Sequence, residues 1–144
     1  MNRPGLTRRA ALLAGLAAAS PAFARSGVAV DVSPLRARGD NTDADHFARM
    51  MPGYLAESMG AGHSVRVRID SVYYGPPGSD GQAHNNGAVD WIEGVGFVDG
   101  RAVPLTCSLV VQVSFPDVDG YSARLRQDNL ARAFAQWLPR QAGL

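Results

Sequence analysis

The chain has 144 residues, 14 Lys+Arg against 13 Asp+Glu, and 46% hydrophobic residues. That suits one domain with a real core and lacks the low hydrophobicity and high net charge of a disordered chain. The single Cys excludes a disulfide framework or a multi-cysteine zinc site, and the near-neutral charge argues against a nucleic-acid binder.

Residues 1–24 read as a cleavable leader. Arg3, Arg8 and Arg9 make a basic start, Ala10 to Ala19 an uncharged apolar stretch, and Ala22-Phe23-Ala24 an A-x-A cleavage site. Beyond this segment no apolar run is long enough for a membrane span. Thr7-Arg8-Arg9-Ala10-Ala11-Leu12-Leu13 resembles the twin-arginine motif of bacterial Tat signal peptides. That resemblance implies export of an already folded protein, periplasmic or secreted after cleavage near Ala24. Cleavage there removes three Arg and no acid, taking 14 basic residues to 11 against 13 acids, so the mature domain, 25–144, is slightly acidic. Every basic residue is Arg.

Val28 to Val32 alternates apolar with small or polar residues and reads as the first strand. A charged, glycine-containing loop is expected from Leu35 to Asn41. Thr42 to Met59 reads as a helix, with Thr42 and Asp45 as a capping pair and Phe47, Met50, Met51, Tyr54, Leu55 and Met59 as its apolar stripe. Pro52-Gly53 should kink or restart it. Ser64 to Tyr74 reads as the second strand, with Val65, Val67 and Ile69 on one face and Arg66, Arg68 and Asp70 on the other. The polar segment 75–87 is a long connection.

Val89 to Val98 and Ala102 to Phe115 read as a hairpin around Asp99-Gly100. Gly94 and Gly96 predict a bulge or the close approach of a helix. The last helix spans 121 to about 138, with Leu125, Leu130, Ala133, Phe134, Trp137 and Leu138 on its apolar side and Pro139 as its stop. The expected fold is α+β, in the order β-α-β-β-β-α, with two helices packed on one face of a four-stranded, mainly antiparallel sheet. The first strand should lie parallel to the second or to the fourth strand, at an edge. This element order resembles the lipopolysaccharide-assembly lipoproteins, which implies two helices on a four-stranded sheet and an accessory role in the cell envelope. That family carries a lipobox Cys, whereas the only Cys here is Cys107.

No G-x-S-x-G, phosphate loop or dinucleotide fingerprint occurs, and no cofactor is expected. Asn41-x-Asp43-x-Asp45 opens like a calcium loop but continues with His46 and Pro52 where Gly and Glu belong, so helix capping explains it better. Cys107 falls on an apolar strand face and reads as a small buried hydrophobe. The expected ligand or partner surface is Arg66, Arg68, Asp70, Tyr74, Asp80, His84 and Trp91, with no catalytic or metal-binding residue assigned. Its occupant is an envelope protein or a small ligand. Arg124, Arg126, Arg132 and Arg140 should make the last helix basic outside, for weak contact with anionic lipid at most. The competing expectation is a small periplasmic enzyme or metal-binding protein using Asp70 and the 75–88 segment, with Asp80 and His84.

Overall fold

A computed structural model describes residues 27–81, 87–113 and 120–144. The expected leader over 1–24, His84 and Phe115 lie outside the described residues. The elements run β1 (Val28–Asp31), α1 (Ser33–Ala37), α2 (Asn41–Met59), β2 (Val65–Tyr74), β3 (Gly87–Val98), β4 (Arg101–Gln112) and α3 (Tyr121–Ala142). The sheet order is β1-β2-β3-β4. β1 lies parallel to β2, and the other two pairings are antiparallel. The fold is α+β, as the alternation of apolar faces predicts.

The core lies between the sheet and the helices. Leu35, Phe47, Met51, Leu55, Val67, Ile69, Ile92, Leu130, Phe134 and Leu138 are fully buried there. Gly94 and Gly96 explain how closely α3 approaches. A Cβ on Gly96 would sit 2.3 Å from Leu138 Cδ1, and one on Gly94 would sit 2.3 Å from the Arg68 carbonyl and 3.3 Å from the Phe134 ring. A side chain at Gly94 would meet backbone, and one at Gly96 would have to push Leu138 aside.

Four local expectations are corrected. The expected loop after β1 starts as a helical turn, because Pro34 suits the first turn of a helix, Asp31 Oδ1 accepts from Ser33 N at 2.9 Å, and Leu35 drops into the core. Thr42 and Asp45 make no capping pair: α2 begins after Asp40, and Asp45 reaches back to Arg36 at 2.6 Å. α2 runs unbroken through Pro52, because Phe47, Met51, Leu55 and Met59 form one buried i, i+4 stripe spanning the proline. Likewise α3 passes Pro139 and ends at Gly143, whose φ of 77° closes the helix in the left-handed region.

Candidate functional site

All three helices cover one sheet face. Among the described residues nothing covers the other, and its side chains follow from the register. Tyr73 pairs with Trp91 and Ser108; Ser71 with Glu93 and Thr106; Arg68 with Val95 and Pro104; Arg66 with Phe97 and Ala102. Tyr73 and Trp91 stack with centroids 5.5 Å apart and rings inclined by 22°. The Arg66 guanidinium lies 4.5 Å above the Phe97 ring, a favourable cation–π geometry. Arg68 Nε meets Asp70 Oδ1 at 2.7 Å. Ser71 Oγ donates to Glu93 Oε2 at 2.8 Å. Aromatic and cationic groups thus share one open sheet face.

This surface holds Arg66, Arg68 and Trp91 from the expected set, with Asp70 at its bulge. Tyr74 is separated from them. The β2 register slips between Ile69 and Ser71, because one extra residue in a bulge turns every later side chain over. Val72 and Tyr74 therefore face the helices, and Tyr74 Oη donates to Asp43 Oδ1 at 2.8 Å. Asp80 lies half-exposed in the segment after β2. The seven residues do not form one cluster.

The helix-covered side holds a second polar arrangement that sequence reading missed. Asp90 is fully buried and bonded by Arg126 Nε at 2.8 Å and by Gly75 N at 3.1 Å; Arg126 Nη2 also reaches the Gly75 carbonyl at 2.7 Å. Arg126 is thus drawn inward, not set on the exposed side of α3 as expected. Gln127 Nε2 donates to Asp43 at 2.7 Å, and Tyr54 Oη donates to Asp128. Arg132 Nε meets the other oxygen of Asp128 at 3.0 Å, with its guanidinium 4.2 Å above the Tyr54 ring. Leu125 and Trp137, expected on the apolar side of α3, are instead half-exposed. Leu130, Ala133, Phe134 and Leu138 are buried as expected, and Gln127, Ala131 and Ala135 extend that inner face.

His46 ends this polar chain. It is buried, its Nε2 has no hydrogen-bond partner, and Asp128 Oδ1 lies 3.9 Å away. Burial holds its pKa below the ordinary histidine value, against the pull of Asp128. Burial raises the Asp128 carboxyl, but hydrogen bonds from Tyr54 and Arg132 outweigh this and hold it below the usual range. Burial and then Asp43 push Tyr74 well above an ordinary phenol. These groups tie α2 to α3 and to the end of the β2–β3 hairpin. Their one signal in the sequence was Asp90, an acid among the inward-facing residues of β3.

Cys107 is buried on the helix side, as expected, and burial pushes its thiol up to about 11, so it is a poor nucleophile. Among the described residues no group of three His, Cys, Asp or Glu is arranged to hold a metal, and no helix is long and apolar enough to cross a membrane.

No family model matches the chain, and no curated protein matches it. Among solved structures it is similar to a minor lipoprotein from Acinetobacter baumannii, with a TM-score of 0.44 and 11% identity, over 82% of this chain and 94% of that one.

Proposed function

We propose that the chain is an exported, non-catalytic binding module of the cell envelope, and that the bare sheet face is its binding surface. The observation that carries this reading is the one-sided packing of the helices. It leaves Tyr73, Trp91, Phe97 and Arg66 on an uncovered sheet. Aromatic and arginine side chains on a rigid support are the groups that contribute most to protein interfaces. Export rests on the basic, apolar and A-x-A pattern of residues 1–24. In this reading the buried polar chain is structural.

The test places a photoreactive aromatic residue at Tyr73, or at exposed Arg49 on α2 as control, in the producing cell. A discrete adduct is expected from position 73, absent from position 49, and lost when Trp91→Ser is added. Equal adducts from both positions, or adducts indifferent to Trp91→Ser, overturn the binding surface. The mass of the same purified protein checks cleavage after Ala24, and an uncleaved chain overturns the export step.

A further inference from the structure

The two edges of the sheet are built differently. β1 is a four-residue edge ending in Asp31. β4 is a twelve-residue edge, and from Ala102 to Gln112 it carries no charged side chain. Among the described residues no strand lies beyond β4. Edge strands usually avoid further pairing by being short or charged. β1 follows that rule, and β4 does not.

The hairpin register shows which main-chain groups of β4 are free. Val98 pairs with Arg101 across the two-residue turn Asp99-Gly100, whose φ values are 50° and 83°. The residues flanking such a turn exchange both hydrogen bonds, and this alternates along an antiparallel ladder. Odd-numbered residues of β4 therefore bond to β3, and even-numbered ones point their N–H and C=O groups away from the sheet. Pro104 fits, since a strand proline belongs where no ladder donor is needed. Among the described residues, the free donors beyond Pro104 are Thr106, Ser108, Val110 and Gln112.

Beside these donors lies an open groove of about 350 Å³, lined by Leu109, Val110, Val111 and by Asn129, Arg132, Ala133 and Gln136 of α3. Val103, Leu105 and Cys107 on the helix side of β4 are buried, but Leu109 and Val111 are only half-buried. The core is thus left open where the free donors are. Val110, on the other side of the strand, is 66% exposed.

We propose that β4 pairs antiparallel with β4 of a second copy of this chain, forming a two-fold dimer with one continuous eight-stranded sheet. The strand is self-complementary. The register that uses all four donors sets Thr106 opposite Gln112 of the second copy, and Ser108 opposite Val110. Leu109 then meets its own copy at the two-fold axis and covers the open end of the core. No like charges face each other along the strands, and Arg132 in the groove is already paired with Asp128. A two-fold contact joins identical patches and closes on itself, so the edge is consumed rather than left to grow fibres. This pairing is independent of the binding role of the bare face.

The first measurement is sedimentation velocity of the purified protein over a dilution series, expected to show a reversible dimer. Val110→Pro removes one outward donor from each copy without touching the β3 ladder, and should raise the dissociation constant roughly tenfold or more. The register is tested without loss of folding by mixing Ser108→Cys protein with Val110→Cys protein under mild oxidation. Opposed residues of a hydrogen-bonded pair lie about 5.5 Å apart at Cα, within disulfide reach. The mixture should give the cross-linked dimer, and each variant alone should give little. A monomer at every concentration, a dimer unmoved by Val110→Pro, or cross-linking of single variants as strong as of the mixture overturns the proposal. A monomer that captures a foreign strand on this edge overturns it as well.

Discussion

The two faces of the sheet place their polar groups to opposite ends. On the helix side, among the described residues, every buried side-chain polar atom has a partner except His46 Nε2: Asp90 is locked by Arg126 and Gly75, and Asp43 by Tyr74 and Gln127. On the bare side Arg66, Arg68, Tyr73 and Glu93 stand exposed. Polar groups buried between helix and sheet have value only when satisfied, whereas polar groups on an open face cost little because water still reaches them. The contrast assigns stability to one face and recognition to the other, and substitutions can test that division.

The largest expected loss is on the helix side. Phe134→Ala empties a fully buried site against Gly94 and should cost about 4 kcal/mol in urea unfolding. Asp90→Ala leaves the Arg126 guanidinium without its carboxylate in a site where that side chain is 14% exposed. A loss of about 3 kcal/mol is expected, and a loss under about 1 kcal/mol would make the pair an ordinary surface contact. Tyr54→Phe removes one hydrogen bond to Asp128 and should cost about 1 kcal/mol. Trp91→Ser on the bare face should cost no more than about 1 kcal/mol, the worth of a cross-strand aromatic pair, while abolishing the position-73 adduct. A Trp91→Ser loss comparable to that of Phe134→Ala would erase the distinction between the faces.

The smallest effect is a pH dependence from His46, whose value in the fold lies below the ordinary 6.5. Above pH 6.5 its neutral form suits both states, and stability is intact. As pH falls below 6.5 the unfolded chain takes up a proton that the buried imidazole refuses, so stability declines until the lowered folded value is passed. His46→Gln should flatten that part of the unfolding profile. An unchanged slope would show that the groups facing the ring, Asp128 on α3 with Asp43 and Arg49 on α2, leave it no preference for the neutral form.

Much of this division was legible in the residues. The period-two pattern of β4 and the Asp99-Gly100 turn gave the hairpin, and Gly94 and Gly96 announced a helix in close contact. The bulge was legible in principle: Val65, Val67 and Ile69 are inward at odd positions, but Val72 and Tyr74 at even ones, so the alternation slips by one between them. Tyr74 was assigned to the wrong face because that slip was not followed. Beyond Asp90, the buried polar chain was not legible. It depends on how closely α2 and α3 pack, and no local pattern indicates that Arg126, unlike Arg124, turns inward. Pro52 was overread as a restart and Pro139 as a stop, because tertiary packing of a continuous stripe outweighed a local penalty of about 3 kcal/mol.

The parallel placement of β1 has a kinetic consequence. β2, β3 and β4 meet through neighbours in the chain, but Val28 must find Val65 across the whole of α1 and α2. Closing so long a loop for a four-residue pairing comes late in assembly and is the cheapest step to reverse. In native-state hydrogen exchange the amides of Val28–Asp31 should therefore open before those of Ile92 and its neighbours in β3. On that expectation β1 opens first, while the meander of β2, β3 and β4 stays whole.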